Sequence, residues 1–392
     1  MSKTPSHAHQ WRQLLALTFA HAVADTYGGL VAPVIMPMRD HYRLSIALLI
    51  FVTSLLSFSS NIFQLPVGHR RSTSTRPVLI ALGVMLAGLA VFIPCLPAGR
   101  FSVVVMSLFA MTAGFGIAAV HPEGLRAVHG LDKIPSSLST AVFMVAGFMG
   151  FSAGALISTS LTQFIGLNSL PWLYLAAPVA VAPLFFCGVS LPLETDKKKS
   201  ALEKRQHIPS VPFVPLFVIA ATLATCSQIQ GTLLPSYLHE EAGYSLSFSG
   251  FAFTLFGIGG MIGAITWGAL APRIGHLRVL LFSTMTGAPL TLLYLFLAPR
   301  TQAAAALLAF TGFIVYTGFP LCITLAQYAT SSMRFGQRMG LISGGSWAIA
   351  AVVLWILGPI VKHTGIGPLL HLIWIGYFAA VVMTLVEIRK KR

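Results

Sequence analysis

Two short patterns in this chain have the residue types to load and unload a proton. The first is His21-x-x-x-Asp25 and the second is His121-Pro122-Glu123-x-x-Arg126. A spacing of four sets His21 and Asp25 on one face of a helix. An unperturbed imidazole titrates near neutrality, and a carboxyl drawn out of water is disfavoured in its charged form. The pair therefore reads as an exchangeable proton site, with Asp25 carrying the proton and His21 partnering it. The same spacing also suits a plain structural hydrogen bond, between the two or to a neighbouring helix. In the second pattern Arg126 follows Glu123 by three residues, with His121 beside them. It reads either as a second proton- or anion-handling site or as an ion pair that pins the loop after its helix.

The elements that must hold these residues are membrane-spanning helices. Asp25 lies 13 residues beyond Arg12, about 20 Å along a helix at ~1.5 Å per residue. A charged Asp at the bilayer centre costs about 2.5–3.5 kcal/mol on insertion scales, so it is neutralised, paired or set in a watery cavity. Charged residues are only 9% of the chain and mean hydropathy is +0.81, which excludes an ordinary soluble globule. Apolar stretches of spanning length predict twelve crossings, at 13–38, 45–67, 77–98, 101–120, 138–165, 170–191, 212–235, 246–270, 279–298, 303–326, 340–361 and 366–386. With the N-terminus inside, twenty of the twenty-five Lys and Arg residues fall in inside segments. Only Arg39, Arg43, Arg100, Arg300 and Lys362 fall outside. This alternation through every crossing follows the positive-inside rule. The expectation is an all-α protein of the inner (cytoplasmic) membrane, multi-pass, with both termini cytoplasmic.

The net charge of +15 belongs to these short loops, where it sets topology and meets anionic headgroups. No basic face with interleaved aromatics is left for nucleic acid. Cys95, Cys187, Cys226 and Cys322 form no CxxC pair, so neither a disulfide framework nor a zinc site is indicated. The first apolar stretch is too long and too polar for a cleaved signal and reads as a retained helix. There is no HExxH, GxSxG or nucleotide-binding loop, which argues against an enzyme or an ATP-driven pump. No cofactor or metal is expected.

The chain also repeats itself. Gly68-His-Arg-Arg ends the second helix, and Gly268-Ala-Leu-Ala-Pro-Arg273-Ile-Gly275-His-Leu-Arg278 ends the eighth; the lead glycines are 200 residues apart. Gly114-Phe115 and Pro122 in helix four answer Gly312-Phe313 and Pro320 in helix ten, each 198 apart. Both prolines should bend their helices. Residues 1–191 and 212–392 are thus expected to form two six-helix pseudo-repeats joined by a polar cytoplasmic linker, 192–211. Gly147, Gly150 and Gly154 in helix five are answered by Gly340, Gly344 and Gly345 in helix eleven. Small residues at such spacing permit close helix approach, either as a seam that slides between the halves or as static packing. The position in helix seven that matches Asp25 holds Gln228, Gln230 and Gly231 and no acid. With Asn61, Gln64, Gln327 and Tyr328, those glutamines are the candidate cargo contacts.

Taken together, the 6+6 repeat resembles a major facilitator transporter. His21-x-x-x-Asp25, His121-Pro122-Glu123-x-x-Arg126, the Gly147–Gly154 run and Ala326-Gln327…Arg338-Met339-Gly340-Leu-Ile-Ser343-Gly344 look like the fosmidomycin-resistance branch. The resemblance implies proton-driven export of small drugs or amphipathic and anionic metabolites by alternating access, by a protein acting as a monomer. Two departures bear on this. The loop after helix two has no Asp where the superfamily carries one, and its second copy has Pro272 there, so the inward gate is expected to be built differently. Gly154 is followed by Ala155 rather than Pro, which leaves import open, by symport or facilitated diffusion of organic acids, sugars or metal chelates.

Overall fold

A computed structural model describes residues 6–69, 75–134, 136–192, 210–333 and 335–390. Of the linker read at 192–211, residues 193–209 lie outside the described residues, as do Arg70 and Arg71 of the loop after helix two. Hydrocarbon offers no partner to backbone N–H and C=O groups, so a spanning segment must satisfy them within itself as a helix. Twelve helices among the described residues are long and apolar enough to cross: α1 His7–Tyr42, α2 Ile46–Val67, α3 Val78–Cys95, α4 Ser102–His129, α5 Leu138–Phe164, α6 Leu167–Phe186, α7 Phe213–Glu240, α8 Leu246–Ile274, α9 His276–Leu297, α10 Ala304–Gln327, α11 Gln337–Thr364 and α12 Gly367–Arg389. They match the twelve predicted crossings in number and order, with ends that differ in both directions: α4 runs on to His129, while α3 and α6 stop short at Cys95 and Phe186.

Within the first six helices α1 packs on α5, and α4 on α2 and α3. Within the second six, α8 packs on α10, and α12 on α7 and α9. The two groups meet mainly through α5 against α8 and α2 against α11. Among the described residues six helices are irregular. α2 turns at Phe63, and α6 starts as a 3₁₀ helix over Leu167–Leu175. α1 breaks at Leu30–Val31 into a 3₁₀ turn, Ala32–Val34, before resuming at Ile35. α10 opens between Val315 and Gly318, just before Pro320, whose missing N–H leaves the Tyr316 carbonyl without its helical partner. α11 carries a π-helical turn at Leu341–Gly345, and most of α3's second half is 3₁₀. α4 runs through Pro122 as one helix, so the two matched prolines do not act alike.

The glycine run of α5 faces α1 in the same half. A Cβ on Gly150 would strike the Ala22 carbonyl, and one on Gly154 would stand 2.5 Å from the Thr26 carbonyl oxygen. This is packing within the first half, not a seam between the halves. The seam on α5 is formed instead by Ser152, Ala155 and Thr159, seated against Gly250 and Gly257 of α8. Gly268 faces open space, while Gly275 makes the α8–α9 turn at φ 106, a conformation that favours glycine. Arg273 and Arg278 beside it are exposed.

Candidate functional site

Between the halves lies a cavity of about 1210 Å3. Gln64 at the end of α2, His129 at the end of α4, Thr140 near the start of α5, and Gln327 and Gln337 on either side of the α10–α11 loop all line it. The cavity therefore opens at the face that carries both chain termini. At the opposite face the halves are joined. Arg39 of α1 donates to Glu240 of α7 at 2.8 Å, the Ser247 N–H of α8 donates to Gln163 Oε1 of α5 at 2.7 Å, and Thr254 Oγ1 donates to the Ser152 carbonyl at 2.7 Å.

Deep in the cavity three side chains from two helices converge. His21 Nε2 is 3.2 Å from Asp25 Oδ2, His121 Nε2 is 3.6 Å from Asp25 Oδ1, and the two Nε2 atoms are 3.4 Å apart. Local structure explains each placement. His21 and Asp25 are a turn apart on α1. The His21 ring lies flat against Phe143 of α5, with centroids 4.0 Å apart, and His121 hangs from α4 toward α1. α5 comes close because Gly147 has no side chain; a Cβ there would stand 2.5 Å from Asp25 Oδ2 and 2.7 Å from His21 Nε2. His21 is buried, while Asp25 and His121 reach the cavity wall.

The hydrogen bonds behind the rings set the chemistry in front. His21 Nδ1 donates to the Phe143 carbonyl at 2.8 Å, and His121 Nδ1 donates to the Ile117 carbonyl at 3.0 Å. A carbonyl only accepts, so each Nδ1 carries the hydrogen, and each neutral ring presents a bare Nε2. With both rings neutral, two lone pairs and a carboxylate face one another with no hydrogen between them. Such a cluster holds together when a cation enters it, either a proton or a metal ion. The ligand-capable atoms all lie within 4.8 Å of one another.

The other sequence candidates sort themselves around this cluster. Glu123 and Arg126 bond each other at 2.9 Å and do not line the cavity, whereas His121 does. Residues two apart do not share a helix face, so His121 joins Asp25 rather than Glu123. Asn61, Gln64, Gln228 and Gln327 line the cavity. Asn61 and Gln64 donate back to their own helix, to the carbonyls of Ser57 and Ser60, while Gln228 accepts from Ser57 Oγ of the other half at 3.1 Å. Gln230 does not line the main cavity; it is 3% exposed and lies among Leu234, Thr291 and Tyr294 inside the second half. Tyr328 is also not in the lining. α7 explains the split between the two glutamines, because residues 228 and 230 point to different sides.

Sequence reasoning missed the aromatic wall. Phe148 of α5 meets Tyr316 of α10 edge-on at 5.0 Å, Phe256 lies 5.8 Å beyond Tyr316, and Tyr316 lines the same cavity as Asp25. It also missed the pairing of Arg39 with Glu240. A signal for that pair was present. The two residues are 201 apart, close to the repeat interval, so they occupy matching places in the halves. Matching places beside a two-fold axis face each other.

The family profile described as Major Facilitator Superfamily matches residues 17–354. An uncharacterised MFS-type transporter of Bacillus subtilis (strain 168) is 23% identical over 370 residues, covering 91% of this chain and 88% of that protein. The fosmidomycin resistance protein of Escherichia coli (strain K12) is 22% identical over 360 residues, covering 90% and 86%. A crystal structure of a nucleoside transporter superposes with a TM-score of 0.73 at 11% identity, covering 97% of this chain and 100% of that one. A POT family transporter in complex with 5-aminolevulinic acid gives 0.69 at 16% identity, covering 96% and 95%. At these identities the solved structures speak to the fold alone.

Proposed function

Because the chain belongs to the major facilitator superfamily, and is therefore a multi-pass membrane transporter and not an enzyme, we propose that it is a proton-coupled antiporter exporting small drugs or amphipathic metabolites by alternating access. The observation that carries this reading is the meeting of three acceptors, His21 Nε2, His121 Nε2 and the Asp25 carboxylate, at the wall of the cavity. One proton added there turns repulsion into a donor–acceptor pair, since a charged imidazole donates to Asp25. Cargo entering the same cavity changes the solvation of Asp25 and so competes with the proton. By linkage, each then weakens the other's binding.

In this reading the open face is cytoplasmic, with both termini there and the inner membrane as the location, which the basic bias of the loops on that side supports. The arrangement described is then inward-facing, ready to load cytoplasmic cargo. The six-helix bundles at 1–191 and 212–392 are the two bodies that rock, and the protein acts as a monomer. Gln228 and Gln327 contact cargo, together with the aromatic wall. Export of a fosmidomycin-like molecule is favoured by the likeness to a fosmidomycin resistance protein.

The test is uptake of labelled fosmidomycin into everted vesicles, with and without an acid-inside pH gradient. Accumulation that needs the gradient is the expected result. Accumulation that ignores the gradient removes the proton from the mechanism. No accumulation by folded protein removes the phosphonate cargo and calls for organic acids, sugars and metal chelates to be tried in both directions.

A further inference from the structure

The cluster at Asp25 meets the requirements of a metal centre as well as those of a proton site. We propose that His21 Nε2, His121 Nε2 and the Asp25 carboxylate bind a divalent transition-metal ion of borderline hardness, such as Zn2+ or Co2+, which enters from the cavity. Two imidazoles and a carboxylate are a ligand set for such ions, while Ca2+ and Mg2+ look for six or more oxygens. Ligands about 2.0–2.1 Å from a tetrahedral ion stand roughly 3.3–3.4 Å from one another. Here the imidazole nitrogens are 3.4 Å apart, and each has an Asp25 oxygen at 3.2 or 3.6 Å.

Three further observations fit. First, both rings already have the tautomer a metal needs. The Phe143 and Ile117 carbonyls hold the Nδ1 hydrogens and leave Nε2 bare, the outer-shell arrangement that orients metal-bound histidines. Second, Gly147 keeps the space clear, since a Cβ there would stand 2.5 Å from Asp25 Oδ2. Third, the remaining coordination positions face the cavity, because Asp25 and His121 line it. No Lys or Arg lines it among the described residues, so no fixed cation opposes the ion's entry. One carboxylate leaves a bound dication with a net positive charge, which water or an anionic chelating group from the cavity completes.

The proposal stands on ligand geometry and does not depend on Asp25 carrying the coupled proton. It is tested on full-length protein in detergent, purified without a polyhistidine tag and titrated with Co2+ at one fixed pH. The expected result is one bound equivalent with the intense visible bands of a four- or five-coordinate ion. Asp25→Asn and His121→Asn should each weaken binding by more than the ~10–100-fold that loss of an outer partner costs. His371→Ala, at an exposed ring bonded to Trp374 of its own helix, should leave it unchanged. No binding, the weak bands of an octahedral ion alone, or binding that survives both cluster substitutions overturns the proposal. The wild-type spectrum reports geometry by itself, and Asp25→Asn keeps side-chain size, so a misfolded His121 variant does not shield the idea. Gradient-driven uptake is read separately, in buffer with a chelator. Uptake without metal binding refutes the metal site alone, and metal binding with gradient-independent uptake refutes the proton reading alone.

Discussion

α1 and α7 occupy corresponding places in the two halves, one on each side of the cavity. α1 brings Asp25 and His21 and is completed by His121 of α4 and the glycine face of α5. α7 brings Gln228 and is completed by rings from α8 and α10, among them Phe253, Phe256 and Tyr316. All the titratable members of the cluster therefore sit in one half. A buried charge site needs its partners held in fixed relation, since an unpaired member costs several kcal/mol. A body that rocks as a unit keeps that relation while it moves. Contacts between the halves are of another kind. Beside the close packing of α5 on α8 and α2 on α11, the polar ones are single hydrogen bonds, such as Ser57 to Gln228, and a partly exposed ion pair, Arg39 to Glu240.

That contrast can be broken most sharply inside the first half. Gly150→Leu drives a side chain into the Ala22 carbonyl, and overpacking of this kind costs about 1–3 kcal/mol or more. The expected result is loss of the folded peak in gel filtration. Gly268→Ala, whose Cβ meets nothing within 4 Å, should stay within about 0.5 kcal/mol of the parent in thermal unfolding. If the two behave alike, the α1–α5 packing is wrong.

Next in size is transport itself. Asp25→Asn should fold and still lose gradient-driven accumulation in everted vesicles, down to the level of empty ones. Gln228→Ala, across the cavity, should keep its dependence on the gradient and shift only apparent cargo affinity, by about 2–13-fold if one hydrogen bond is lost. A Gln228 variant that loses coupling would end the division of labour between the halves.

Smaller effects belong to the contacts that the proposed rocking would break. Ser57→Ala removes a bond that spans the halves and should move the inward-facing population by about fivefold, from ~1 kcal/mol. Labelling rates of a cysteine placed in the cavity would read that shift. Arg39→Ala should do less, since an exposed pair contributes about 0.2–1 kcal/mol. The exchange of Arg39→Glu with Glu240→Arg should restore parental labelling of a cysteine at the closed face, and failure to do so would show that the pair is not a latch.

Much of this was readable from residue order. Apolar lengths near that of a bilayer and the side-to-side bias of Lys and Arg specify twelve crossings, because hydrocarbon thickness and leaflet charge act on each segment separately. The 198–200 residue interval exposes the duplication for the same local reason, and a spacing of four places His21 beside Asp25 before any fold is known. What the chain order cannot carry is which helix faces which. His121 was grouped with Glu123 by proximity in sequence, yet the turn of α4 points it at Asp25 and sends Glu123 to Arg126. Gln230 looked as available as Gln228 and is buried in the second half. Of the glycines of α5, Gly147 proved to be the floor of the cluster, while Gly150 and Gly154 pack on α1 and form no seam. The two bare imidazole nitrogens depend on carbonyls at Phe143 and Ile117, one of them 122 residues from the ring it holds. Lateral packing of helices decides these matters, since it is set by side-chain fit between distant segments, and only the assembled bundle brings that fit into being.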